Sequence, residues 1–254
     1  MVGNLLLRGM LVGVIAGLCA FGFARVFGEP QVDRAIAFEE QTAAAEQAAS
    51  GQPAMEEPEI VSRSTQAGFG LLTGIVVYGA AVGGLFSLVF AYAYGRVGRL
   101  GPRGTAALLA LGAFVAVVLV PFVKYPATPP AVGSPETIGA RTELFFVMIV
   151  VSLVAAVASI SLAQRLWARH GAWNASIIAG LAFVVVIAIA QYALPTVNEV
   201  PENFSADLLW RFRTASLGIH VILWGVIGLG FGALAEHSIA SRNDRRVTAR
   251  PAIR

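Results

Sequence analysis

Six side chains with oxygen or nitrogen donors are the candidate metal ligands of this 254-residue chain. They fall in three loop-like segments and one apolar stretch, and they are Glu29, Asp33, Glu136, Asn198, Glu199 and His220. Carboxylate and carbonyl oxygens coordinate hard divalent cations, and a neutral imidazole binds Co, Ni or Zn. Pro195 and Pro201 stiffen the loop around Glu199, which makes it the strongest carboxylate candidate. The residue types predict a site for a divalent cation.

The same segments carry arginines that offer the acids a second role. The candidates for structural ion pairs are Arg25, Arg34, Arg141, Arg211 and Arg213. A guanidinium close to a carboxylate neutralises it, and the acids would then hold loops together without binding a cation. His220 has a similar alternative, since an imidazole can also hydrogen-bond across helices. Both readings remain open from the residues alone.

Six apolar stretches must position these side chains, at about 5–27, 67–94, 105–123, 144–166, 173–195 and 214–235. Each approaches or exceeds the roughly 20 residues that a helix needs to cross the hydrocarbon core of a bilayer. Mean hydropathy is +0.73 and only 13% of residues are charged, against about 25% in soluble domains. We therefore expect an all-α, polytopic membrane bundle, with one transmembrane domain over residues 1–240 and a basic tail at 241–254.

The charges of the loops predict the orientation of the bundle. The loop after the second stretch holds Arg96, Arg99 and Arg103 and no acid, and Arg165 and Arg169 lie at and just after the end of the fourth stretch. Short loops rich in arginine stay cytoplasmic. Both termini are then expected on the cytoplasmic side, and the outer loops are 28–66, 124–143 and 196–213.

Several function classes are disfavoured by the sequence. It has no phosphate-binding glycine loop, no His-Glu-x-x-His and no grouping of Ser, His and Asp, so we expect no enzyme. The apolar stretches contain no Asp, Glu or Lys, which counts against a secondary transporter with a buried acidic site. The net charge of +3 is spread over loops and tail, so nucleic acid is not an expected partner. The single cysteine, Cys19, cannot form an internal disulfide, and we expect the first stretch to be an uncleaved helix rather than a signal peptide.

Three segments resemble the CbtA family, proposed cobalt transporter subunits of bacteria. The first segment is Phe23–Pro30 (FARVFGEP) with Asp33–Ile36 (DRAI). The others are Lys124–Ala127 (KYPA) with Pro129–Pro130 and Pro135–Thr137 (PET), and Leu194–Pro195 with Asn198–Pro201 (NEVP) and Leu208–Trp210 (LLW). The resemblance runs from about Leu5 to Glu236. It implies cobalt uptake for cobalamin synthesis, together with CbtB, a small one-span subunit that carries a histidine-rich metal motif. Members are usually described with five spans, so six would depart from the family.

The leading hypothesis is a component of Co²⁺ uptake in the bacterial inner membrane. Co²⁺ would be its transported ion, and we expect no permanently bound cofactor. One alternative is a membrane scaffold or regulatory subunit that transports nothing, which the absence of acids in the apolar stretches favours. The other is a membrane-embedded enzyme that modifies a lipid, with the outer Arg and Glu residues as its site. The residues do not indicate the oligomeric state.

Overall fold

A computed structural model describes residues 2–50, 61–96, 98 and 100–248 of the chain. Arg99 and the end of the basic tail, 249–254, lie outside the described residues. All regular elements are helices, which confirms the all-α prediction. They are α1 (Val2–Phe23), α2 (Glu29–Ser50), α3 (Arg63–Thr65), α4 (Leu71–Ala93), α5 (Pro102–Ala113), α6 (Val120–Lys124), α7 (Pro135–Ala193) and α8 (Ala206–Thr248).

Three short π-helical segments join successive α-helices without a loop. Ala24–Gly28 joins α1 to α2, Gln66–Gly70 joins α3 to α4, and Phe114–Leu119 joins α5 to α6. Because a π turn keeps the backbone hydrogen-bonded, the chain remains helical through each of these joints. Residues 29–50, which the sequence places in an outer loop, therefore continue the first helix rather than leaving it.

Five helical stretches in the described part of the chain are long and apolar enough to cross a membrane. They are Gly3–Ser50, Arg63–Ala93, Pro102–Lys124, Pro135–Ala193 and Ala206–Ala240. Their composition and length agree with the expected membrane bundle, because a bilayer needs about 20 apolar residues per crossing. The protein is therefore an integral membrane protein with several long apolar helices.

Helix α7 is interrupted at one residue. Gly171 has φ 71° and ψ 165°, a conformation that is essentially restricted to glycine. On either side of it, Met148 and Phe183 belong to one apolar cluster. In a straight helix these residues would be about 50 Å apart. The 59 residues of α7 therefore form two helices that fold back on each other at Gly171.

The chain divides into two compact units, and the single transmembrane domain over residues 1–240 stays a prediction. Unit 1 comprises Met1–Gly22, Gln66–Ala113 and His220–Arg254. Unit 2 comprises Phe23–Thr65 and Phe114–Ile219.

Glycines bring the helices of unit 1 together. A Cβ added to Gly17 would lie 2.9 Å from the Cα of Val76. Gly9 lies against Gly83 in the same way, and Gly13 lies against Gly79. The order of these pairs makes α1 and α4 antiparallel. Small residues allow this close approach of two backbones within a membrane.

A second pair of helices in unit 1 packs through small residues as well. Gly228 lies against Ala110 and Gly232 against Ala106, so α8 and α5 are also antiparallel. Aromatic rings fill the space beside them, where Phe231 packs edge-on against Phe86 and Phe90. The interior of unit 1 thus combines close backbone contacts with an aromatic core.

Candidate functional site

Three segments that the sequence places on the outer side converge in unit 2. Ala35 of α2, Val132 of the Pro-rich segment between α6 and α7 (residues 125–134) and Phe204 of the segment before α8 form one buried apolar cluster. Phe38 packs edge-on against Phe204, with ring centroids 5.1 Å apart. We call the region formed by residues 29–42, 124–143 and 196–213 the cap. The candidate carboxylates and arginines of the cap are thus placed on one ordered scaffold.

Glu29 and Asp33 share a single guanidinium. Arg63 of α3 donates to Glu29 Oε2 and also to Asp33 Oδ1, the latter with its Nε at 3.1 Å and an η nitrogen at 2.9 Å. The Glu29 side chain is 9% exposed and the Asp33 side chain 61%. One acid is therefore buried beneath the arginine, and the other faces outward beside it. This arrangement brings together two predicted ligands one helical turn apart.

Glu199 is held by a different set of partners. Its side chain is 6% exposed, accepts a hydrogen bond from the Thr137 hydroxyl and lies 3.6 Å from an η nitrogen of Arg141. Thr137 stands in the first turn of α7, which begins at Pro135 with Ser134 at the N-cap position. The Ser134 hydroxyl pairs with the Thr137 hydroxyl at 2.8 Å rather than capping the helix. The start of α7 thus orients Glu199.

Two arginines hold the Pro-rich segment in place. Arg141 donates to the Pro126 carbonyl oxygen and, at 2.7 Å, to the Thr128 hydroxyl, while Arg213 donates to the Ala127 carbonyl at 3.3 Å. Arg213 precedes the apolar stretch 214–235, and burial, followed by the charge of Arg141, lowers the pKa of its guanidinium. The three-residue segment 126–128 is therefore fixed by two neighbouring positive charges.

The boundary between α6 and the Pro-rich segment is also ordered by polar bonds. Lys124 Nζ donates to the Gln191 carbonyl at 2.7 Å, and the Tyr125 hydroxyl donates to the Pro195 carbonyl at 2.7 Å. A cation at the last turn of a helix satisfies free carbonyls there and opposes the helix dipole. Burial raises the pKa of Tyr125, so its hydroxyl remains a donor. These bonds attach the cap to the second half of α7.

The remaining predicted residues are dispersed. Glu136 and Asn198 are exposed, and the Asn198 side chain faces the backbone of Val200. Arg211 pairs with Asp207 at 2.8 Å within α8. Arg34 donates to the Gln31 side chain at 3.4 Å, and Arg25 is exposed. Neither Arg25 nor Arg34 forms an ion pair with a described carboxylate.

His220 is assigned to unit 1 and the cap to unit 2. Among the residues that the structure describes, no three His, Cys, Asp or Glu side chains form a group able to hold a metal ion. The acids are instead paired with two different arginines. Glu29 and Asp33 both pair with Arg63, and Glu199 pairs with Arg141. Two adjacent carboxylates on a stable scaffold, such as Glu29 and Asp33, can attract a hydrated cation. A buried carboxylate with a partner at each oxygen, such as Glu199, can hold a loop in place. The predicted six-residue ligand set remains a prediction.

Sequence reasoning missed two partners that determine the cap. Arg63 lies 30 and 34 residues beyond the acids that it pairs with, and Thr137 is 62 residues from Glu199. The one available signal for Arg63 was its position immediately before the second apolar stretch, on the same expected side as Glu29.

These elements define an integral membrane protein in which several long apolar helices carry an ordered polar cap. The chain belongs to the CbtA family: the model of that family, described as "Probable cobalt transporter subunit (CbtA)", matches residues 2–236. The match runs from the start of α1 to residue 236 within α8 and confirms the resemblance. No curated protein and no solved structure matches the chain.

Proposed function

We propose that this protein is the membrane-spanning subunit of a Co²⁺ uptake system of the bacterial inner membrane that serves cobalamin synthesis. The observation that carries the proposal is the family match over residues 2–236, since that family is described as a probable cobalt transporter subunit. The cap provides acids at one end of the apolar helices, where a cation would first be attracted. A subunit also requires a partner, and we propose a small one-span protein with a histidine-rich metal motif.

We infer six membrane crossings with both termini in the cytoplasm. A helix of 59 residues is about 88 Å long, nearly three times the thickness of the hydrocarbon core. The break at Gly171 and the apolar cluster shared by its two sides support counting α7 as two crossings. The cap would then face outward, and the Arg165–Arg169 turn would face the cytoplasm with Arg96 and Arg103.

The cap acids would act as an attracting surface rather than as a closed binding site. Asp33 is largely exposed and shares Arg63 with Glu29, so an approaching cation would compete with the guanidinium for the same two carboxylates. Glu199 is covered and bonded by Thr137 and Arg141, so its role would be to hold the Pro-rich segment in place. A cation attracted here needs only a weak, rapidly exchanging site.

The decisive experiment is Co²⁺ accumulation in cells that lack other cobalt importers, with this chain expressed alone and with the small partner. We expect uptake that requires this chain, increases with the partner and falls when Asp33 is changed to Asn. Glu39→Gln is the matched control, because Glu39 lies in the same helix and is exposed. Absence of uptake under both conditions, with the protein confirmed in the membrane, would overturn the proposal.

A scaffold or regulatory subunit is the second candidate, and the ion pairing of the acids favours it. If Glu29, Asp33 and Glu199 only stabilise the cap, D33N should leave Co²⁺ accumulation unchanged, while deletion of the whole chain should still reduce it. That combination would show that the subunit assembles a transporter whose ion path lies in its partner.

A further inference from the structure

Two nitrogen atoms on one face of α8 are buried without a partner. Among the described residues, His220 Nδ1 and Trp224 Nε1 are the buried side-chain polar atoms that form no hydrogen bond. Trp224 is 8% exposed, and its ring packs edge-on against Phe86 at 6.4 Å. An unsatisfied polar group in an apolar interior is energetically costly. Two such groups, four residues apart on one helix, indicate a shared ligand.

Two other buried polar side chains of unit 1 are satisfied within their own helices. The Ser87 hydroxyl donates to the Gly84 carbonyl at 2.7 Å, and the Ser238 hydroxyl donates to the Leu234 carbonyl at 2.5 Å. His220 Nδ1 and Trp224 Nε1 form no such bond. Their partner must therefore lie beside the helix.

The chemistry of the two atoms defines the partner. An indole Nε1–H is only a donor, and Nδ1 of a neutral imidazole protonated at Nε2 is an acceptor. With the imidazole in this tautomer, a ligand that satisfies both atoms accepts from Trp224 Nε1–H and donates to His220 Nδ1. Residues four apart lie one turn from each other on the same face of a helix, so one small molecule beside that face can reach both side chains.

We propose that His220 and Trp224 together bind a water molecule inside unit 1, which accepts a hydrogen bond from Trp224 Nε1–H and donates one to His220 Nδ1. Buried water commonly satisfies otherwise unpaired polar groups in this way. The site goes beyond the proposed function and does not depend on the identity of any metal. It would place a hydrogen-bonding molecule within the apolar stretch 214–235, which contains no Asp, Glu, Lys or Arg.

The test uses the full-length chain in lipid bilayers with ¹⁵N-labelled tryptophan and measures magnetisation transfer from water protons to the indole N–H groups by solid-state NMR. The chain has four tryptophans, and the signal that Trp224→Phe removes is that of Trp224. We expect a water-transfer peak at Trp224 in the native protein. A visible Trp224 signal without water transfer would overturn the proposal.

Two variants of His220 test whether it is the second anchor. His220→Leu removes the acceptor, and we expect the Trp224 signal to remain while its water-transfer peak is lost. His220→Asn keeps an acceptor on a short side chain, and we expect the peak to persist. If both variants retain the peak, the water does not bind His220 and the proposed pair is wrong. If the leucine variant does not fold, loss of the peak in H220N would likewise contradict the proposal.

Discussion

Gly13 and Gly79 face each other with their backbones in contact, so that a Cβ on either residue would overlap the carbonyl oxygen of the other. Both atoms in each collision belong to helical backbone, which cannot move aside as a flexible side chain can. We therefore expect Gly13→Ala to separate α1 from α4 and to lower the free energy of unfolding by about 1–3 kcal/mol, the usual cost of overpacking.

The matched control is Gly74→Ala, because Gly74 lies in α4 and has no neighbour within 4 Å of an added Cβ. Alanine favours helix over glycine by up to about 1 kcal/mol, so this control should be neutral or stabilising. The midpoint of thermal unfolding in detergent, followed by size-exclusion chromatography, measures both variants. Equal midpoints for G13A and G74A would contradict the glycine contact.

A second prediction concerns the turn within α7. Gly171 adopts φ 71° and ψ 165°, which a residue with a Cβ reaches only at a cost of about 1–3 kcal/mol. Gly171→Ala should therefore destabilise the hairpin between the two halves of α7. Gly180→Ala is the control, since Gly180 is helical and has open space around it. Thermal midpoints of the two variants should differ, with G171A the lower; the reverse order would mean that α7 does not turn at this residue.

The helical class and the cap scaffold were predictable from local patterns. The absence of charge over about 20 residues indicates a helix in lipid, because a charged side chain is costly there whatever its neighbours are. The N-cap position of Ser134 and the shared face of Val32, Ala35 and Ile36 follow from local rules as well, and Ala35 is fully buried. Such features depend on residues within one or two turns of each other.

The ion pairs between arginines and carboxylates of the cap were not predictable, because they depend on contacts between segments that are distant in sequence. Arg25 and Arg34 are closer in sequence to Glu29 than Arg63 is, yet neither pairs with a described carboxylate, and α3 supplies the guanidinium. The π-helical joints also escape sequence patterns, since one extra residue in a turn leaves the apolar character unchanged.

A third prediction addresses the role of Glu199. Its side chain is 6% exposed and that of Arg141 is 20% exposed, so removing one charge leaves the other partly desolvated. We expect Glu199→Gln and Arg141→Gln each to lower the thermal midpoint and the double variant to lose less than their sum, with a coupling of about 0.5–3 kcal/mol. Glu202→Gln is the control, because Glu202 is exposed in the same segment. Strict additivity of the two changes would contradict a structural ion pair.

The last prediction separates metal attraction from structure at Glu29 and Asp33. Arg63 occupies both carboxylates, so a bound cation and this guanidinium compete for the same oxygens. Arg63→Gln should then raise the affinity of the purified protein for Co²⁺ about tenfold, which corresponds to about 1.4 kcal/mol. Arg63→Lys keeps the positive charge and should raise it much less. Arg34→Gln removes an exposed arginine of the same helix as the acids and should leave the affinity unchanged. Isothermal titration calorimetry with Co²⁺ measures the affinity of the three variants. A folded R63Q protein with native affinity would mean that Glu29 and Asp33 only stabilise the cap.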